Sequence, residues 1–132
     1  MTQEEKSLLL QDLSARLPYK IMVKVNDTQG IMDEIDIPNE RIFVSSLNPF
    51  LYGGAKASWF TVNGDKIYPY LRPMSSMTEE EKRTFKRLKG EIKLYNSIGT
   101  KLHDWLNTHH FDYRGLIPMG LALEAPEGMY NV

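Results

Sequence analysis

The feature that most constrains this fold is a change in the period of the apolar residues, at Pro18 and again at Thr78. Before Pro18, leucines recur at helical spacing, as Leu9, Leu10, Leu13 and Leu17. Between residues 19 and 71 the apolar residues alternate in short runs, each closed by Asn, Gly or Pro. After Thr78 the helical period returns, with Phe85, Leu88, Ile92 and Tyr95 on one face. Strands grouped between helices, with no strand–helix alternation, exclude a doubly wound dinucleotide fold. The expected class is α+β: a small antiparallel sheet of about four to five strands packed with three helices. At 132 residues the chain fits one domain, 1–132.

Local chemistry sets the expected boundaries. Thr2 and Glu5 have the spacing of a capping box, so a helix follows to about Arg16, and Pro18 ends it. Asp12 and Arg16, four apart, are placed to pair on its solvent face. Residues 19–25 read as a strand, 26–30 as a turn, and 31–37 as a second strand with Ile31, Ile35 and Ile37 on one side. Residues 41–45 give a third strand. A loop over 46–56 carries Phe50, Leu51 and Tyr52.

Asn63-Gly64 between residues 57–62 and 66–71 is the strongest hairpin signal, because Asn-Gly suits a type I′ turn. Pro69 cannot donate to a ladder, so its strand is expected at an edge. Thr78 and Glu81 repeat the capping box and open a helix to about Tyr95. Gly90 inside it costs about 1 kcal/mol relative to Ala, which suggests a close contact or a kink. Thr100 caps a third helix with Leu102, Trp105, Leu106 and His109 as its apolar stripe. Pro118, Gly120, Pro126 and Gly128 are too closely spaced for a long element beyond it.

Composition narrows the function classes. Apolar residues at 42% and charged residues at 25% are a globular balance. With no cysteine, the chain has no disulfide, thiolate metal site or cysteine nucleophile. The first five residues are acidic and polar, unlike a secretory signal. No apolar run reaches the ~18–20 residues of a membrane span, so a cytoplasmic protein without membrane contact is expected. Sixteen basic against 17 acidic residues, net −1, exclude a strongly basic overall field but not a local patch.

Such a patch is offered by the helix after Thr78. Lys82, Lys86, Lys89 and Lys93 lie in one wedge with Arg83 and Arg87 beside it, a stripe that could track phosphates. The same pattern suits a solvated helix face with acids in its first turn.

His103, Asn107 and His110 share a helical stripe, but the two histidines are ~10.5 Å apart along the axis. That is too far to share one metal ion, and no metal or other cofactor is expected. His109 lies on the Trp105 face and reads as a core histidine bonded to backbone. His110, Asp112, Tyr113 and Arg114 could form an acid–base cluster. Equally, Asp112 could cap the following turn while Arg114 pairs with a carboxylate. No nucleophile elbow accompanies them.

Residues 53–58 lack the spacing and the following helix of a phosphate loop. Asp33, Glu34, Asp36 and Glu40 read as a charged strand edge that discourages edge-to-edge pairing. Most aromatics belong to the core, although Tyr68 and Tyr70 on one side of the proline-containing strand could mark a partner surface.

Three blocks carry a resemblance. The first, residues 8–19, includes Asp12-Leu13-Ser14-Ala15-Arg16-Leu17-Pro18-Tyr19. The second, residues 67–81, includes Tyr68-Pro69-Tyr70-Leu71-Arg72-Pro73-Met74. The third runs through 104–107, 109–117 and 120–130 and includes His109-His110-Phe111-Asp112-Tyr113-Arg114-Gly115 and Ala125-Pro126-Glu127-Gly128. Together, over somewhat under half the chain, they resemble a family of short uncharacterised proteins of Bacteroides-type gut bacteria, often found near phage or mobile-element genes. The resemblance implies a bacterial cytoplasmic protein and supplies no activity or catalytic residue.

Polar-aromatic segments without a catalytic constellation point first to a non-enzymatic interaction module, binding a protein partner or a second copy of itself. Its expected surface is Tyr68, Tyr70, His110, Asp112, Tyr113 and Arg114. The alternatives are a nucleic-acid accessory protein using the basic helix, and a small enzyme using His110 and Asp112.

Overall fold

Helix α1 (Gln3–Arg16) opens on the expected capping box: Glu5 N donates to Thr2 Oγ1 at 3.1 Å and Thr2 N to Glu5 Oε1 at 2.8 Å. The computed structural model describes residues 1–47, 54, 56–95 and 100–130, and side chains at all of these but 92–95 and 100. Phe50, Leu51 and Tyr52 lie outside the described residues. After α1 the chain makes a short 3₁₀ turn at Leu17–Tyr19 and enters the sheet.

The strands are β1 (Met22–Val25), β2 (Thr28–Asp36), β3 (Arg41–Ser45), β4 (Ser58–Thr61), β5 (Ile67–Leu71) and β6 (Leu123–Glu124). They stand in the order β4-β3-β2-β1-β5-β6. All neighbours are antiparallel except β5 and β6, which pair in parallel over Tyr70–Leu123 and Leu71–Glu124. The class is α+β, with three α-helices among the described residues, α2 (Glu79–Tyr95) and α3 (Thr100–Thr108) following the main strands. The sheet has six strands, because residues 123–124 pair in a stretch that carries too few residues to leave a periodic signal.

Three expectations change. The Asn63-Gly64 turn does not make a hairpin, since three strands lie between β4 and β5. The turn closes on itself: Thr61 Oγ1 accepts Gly64 N at 3.1 Å, and Asp65 Oδ2 accepts Thr61 N at 2.9 Å. Asn26 then captures the chain for β1, donating to Asp65 Oδ1 and accepting from Lys66 N, both at 3.0 Å.

Second, the turn after β1 takes only Asn26 and Asp27, with Asn26 at φ +52°, so β2 starts at Thr28. A bulge between Met32 and Glu34 shifts its register. Ile35 therefore packs on the core, Ile31 does not, and Ile37 is exposed. The acids at 33, 34 and 36 sit on an inner strand, not an edge. Third, β5 is bare on its outer side only before Tyr70; beyond Pro69 it carries β6.

The sheet must be strongly coiled. Val62 N donates to Glu40 O at one end of β2, and Lys66 N bonds Asn26 at the other. Four Cα steps reach at most about 14 Å, whereas a straight strand the length of β2 spans about 27 Å. Gly30 sits where β3 presses in: a Cβ there would collide with Ser45 O and lie 2.7 Å from Val44 Cγ1. Leu9, Leu10 and Leu13 of α1, Ile21 just before β1, the inward strand residues Val23, Val25, Ile42 and Val44, and Leu116 and Leu121 fill the concave side. A second, smaller cluster of Met77, Leu106 and Phe111 joins α2 and α3.

Candidate functional site

Asp12 and Arg16 pair, but inside the protein rather than in solvent. Both side chains are fully buried, with Arg16 Nε on Asp12 Oδ2 at 2.8 Å and Arg16 Nη2 on Asp12 Oδ1 at 3.1 Å. The signal was in the spacing: Leu9, Asp12, Leu13 and Arg16 fall on one helical stripe. Arg16 Nη2 also donates to Phe111 O at 2.7 Å, and Arg114 Nη1 donates to Asp12 Oδ1 at 2.8 Å. Both guanidinium groups flank the Tyr113 ring, at 5.3 and 4.7 Å from its centroid.

A second arginine fixes the other side of the segment. Arg72 N donates to His110 O and accepts Asp112 N on its own carbonyl, both at 2.8 Å. Its guanidinium lies 4.2 Å over the Phe111 ring and forks onto Glu81, with both bonds at 2.8 Å. Glu81 also completes the expected capping box of α2, with Thr78 N on Glu81 Oε1 at 2.9 Å and Glu81 N on Thr78 Oγ1 at 3.1 Å. The Arg72 bonds, ahead of the Thr78 ones, hold the Glu81 carboxyl at about 2.

Residues 109–114 are thus built into the fold. His110 is 8% exposed and Asp112 7%, so neither offers the docking surface expected of them. Asp112 caps the next turn, accepting Leu116 N at 2.8 Å and Ile117 N at 2.9 Å, and Arg114 pairs with a carboxylate. His110 takes φ +62° at the end of α3 and stacks on Tyr130 at 3.7 Å. Burial, then the charge of Arg16, brings its pKa down to about 4. No hydrogen bond joins His110 to Asp112, and each serves a different neighbour, so the geometry of an acid–base pair is not formed. Tyr113 is half-buried, with its hydroxyl donating to Asn107 Oδ1 at 2.9 Å.

Tyr130 was not singled out by sequence. Its hydroxyl accepts Met22 N at 3.0 Å and donates to Tyr70 O at 2.8 Å, standing where the β1–β5 ladder would continue past Val23 and Pro69. Burial raises its pKa.

Tyr68 and Tyr70 do share a side. They alternate with buried Ile67, Pro69 and Leu71, so both half-buried rings lie on the outer face of the sheet. The same face carries an arginine–aromatic group at β3–β4. Trp59, 37% exposed, lies opposite Phe43 with ring centroids 5.2 Å apart. The Arg41 guanidinium covers the Trp59 ring at 4.2 Å and is held by Asp36 Oδ2 at 2.8 Å. Asn39 and then Arg41 keep the Asp36 carboxyl below its ordinary range.

On α2, Lys82, Arg83, Lys86, Arg87 and Lys89 are exposed, while the side chain of Lys93 lies outside the described residues. Lys82 pairs with Glu79, Arg87 pairs with Glu91, and Lys89 sits 5.1 Å over the Phe85 ring. Arg83 and Lys86 have no partner among the described residues. Among the described residues Gly90 meets nothing within 4 Å, so no close packing contact explains it.

Between α2 and α3 a cleft of about 470 Å³ is lined by Thr78, Glu80, Glu81, Thr84, Trp105 and His109. His109 does not bond to backbone through its ring as expected. Its Nδ1 faces Glu81 Oε2 at 3.6 Å, its ring lies 4.8 Å from Trp105, and burial lowers its pKa. Among the described residues no group of three or more His, Asp or Glu is placed to hold a metal ion. No helix among them is long and apolar enough to cross a membrane. No protein-family model matches the chain, nor does any curated protein or solved structure, so the arrangement of its own side chains is what bears on function.

Proposed function

We propose that this chain is a non-enzymatic protein-interaction module that docks a partner protein on the outer face of its sheet. The observation that supports this most is the Trp59–Arg41–Phe43 group: an exposed tryptophan whose ring is already ordered by a held guanidinium. Trp, Tyr and Arg carry much of the energy of protein interfaces, and an ordered pair loses less freedom on binding. Tyr68 and Tyr70 extend the same face. The reading includes a cytoplasmic location, and the resemblance makes a Bacteroides-type lysate the place to search.

The test is gentle purification of tagged protein with mass spectrometry and light scattering, repeated with Trp59→Ala. A stoichiometric partner, or a dimer, that is lost in the variant supports the reading. A strict monomer that retrieves nothing, or a partner indifferent to Trp59→Ala, refutes it.

Nucleic-acid binding is the second reading, favoured by Arg83 and Lys86, which have no partner among the described residues, on an exposed basic face. It requires affinity that falls steeply with salt and is lost in Lys86→Glu/Lys89→Glu. Salt-independent or absent binding removes it.

A further inference from the structure

In the cleft between α2 and α3, we infer a binding site for an organic ammonium group of the methylated or quaternary kind. Two of its lining residues carry rings, Trp105 and His109, and two are acidic, Glu80 and Glu81. Phe111, Trp105, His109 and Phe85 form a run of neighbouring rings: Phe111–Trp105 at 5.6 Å, Trp105–His109 at 4.8 Å and Trp105–Phe85 at 6.3 Å. The protein places its own cations on both ends of this run, Arg72 4.2 Å over Phe111 and Lys89 5.1 Å over Phe85. The middle rings, Trp105 and His109, instead line the open cleft, and among the described residues no lysine or arginine lines it with them.

The charges there select the ligand's sign. Arg72 neutralises Glu81 from behind, leaving the exposed Glu80 carboxylate without an ion-pair partner among the described residues. The α2 N-terminus would ordinarily favour an anion. Here Thr78 caps the Glu81 amide, and three glutamates occupy the first turn. Aromatic faces best hold cations that are weakly hydrated, which favours methylated ammonium over a compact, strongly hydrated one. Thr78 and Thr84 also line the cleft; the Thr78 hydroxyl accepts Glu81 N and the Thr84 hydroxyl donates to Glu80 O, so each keeps one hydrogen-bonding capacity for a substituent beyond the ammonium. The site is separate from the sheet face and does not depend on docking there.

Trp105 and Trp59 are the chain's two tryptophans, so Trp59→Phe leaves Trp105 as the sole reporter. Its fluorescence is titrated at constant ionic strength with choline, with the neutral isostere 3,3-dimethylbutan-1-ol, and with a short peptide carrying trimethyllysine. Choline should give a saturable change on the order of millimolar, with the isostere about tenfold weaker and Glu80→Gln weakening choline several-fold. Since Glu80 is exposed, that variant keeps the fold, checked by circular dichroism. A peptide that binds more tightly than choline assigns the ammonium to a partner's side chain. Choline equal to or tighter than the peptide assigns it to a free small molecule. An equal response to the isostere, a response unchanged by Glu80→Gln, or no saturable change with either cation overturns the inference.

Discussion

His110 should make the stability of this protein fall as the solution is acidified through a window where few other groups titrate. Its ring lies on Tyr130 at 3.7 Å, and its buried Nδ1 has no hydrogen-bond partner among the described residues. Burial, and next the Arg16 charge, lower its pKa from 6.5 to about 4. Between these values the unfolded chain binds a proton that the folded chain does not. Stability from this group is therefore complete above pH 6.5, declines as the pH falls, and is gone below about 4. At ~1.4 kcal/mol per pH unit, the loss between pH 7 and 4.5 is roughly 2–3 kcal/mol, a large part of the ~5–15 kcal/mol typical of a domain.

His109, also lowered by burial, acts in the same direction below its ordinary 6.5. The assay is urea unfolding at pH 7, 6, 5 and 4.5 for the native chain and His110→Asn. Asparagine tolerates the φ of +62° at this position and carries no titrating group. The variant should keep only a shallower slope, from His109 and, toward pH 4.5, from carboxyls held low such as Glu81. Equal slopes in the two proteins, or an imidazole of His110 that titrates in the folded state near 6.5 by NMR, would refute the argument.

Other perturbations test separate parts of the structure. Asp12→Ala strands Arg16 and Arg114, so urea unfolding should give a loss of ~3–5 kcal/mol; a change under 1 kcal/mol would mean the cluster is hydrated. Gly90→Ala enters a helix position with nothing within 4 Å among the described residues and should stabilise by up to ~1 kcal/mol in the same assay. Tyr130→Phe leaves Met22 N and Tyr70 O without the hydroxyl that serves both. It should cost about 1–3 kcal/mol and speed hydrogen exchange at the Met22 amide; unchanged exchange there would contradict the bridging role.

What the sequence reveals here is what lies within a few residues along the chain. Both capping boxes are legible because Thr and Glu three apart satisfy each other whatever surrounds them. Residues 41–45 form the expected strand because their alternation meets no bulge. Register and burial depend on distant partners. The Asn63-Gly64 turn has the same local chemistry whether its flanking strands pair or part, and only the bonds to Asn26 decide. A four-residue spacing of Asp12 and Arg16 fits solvent and core alike. The charge on the leucine stripe was the available clue, as was Glu81 on the stripe of Phe85 and Leu88. The segment 109–114 looked like a surface because its polar groups were conspicuous, yet Arg16 and Arg72 reach its backbone from 95 and 37 residues away.

The Asp12 cluster has a consequence for synthesis. Asp12 and Arg16 leave the ribosome before the groups that cover them: the second arginine on Asp12 comes 102 residues later and the carbonyl that receives Arg16 comes 95 residues later. Until then α1 holds a charge pair without the lid that would exclude water from it, on the face that must cover the sheet. Docking of the first element is thereby tied to arrival of the last third of the chain. Such long loop closures slow folding. A nascent chain stalled before Phe111 should keep α1 undocked and accessible to protease, and become resistant once Arg114 has emerged.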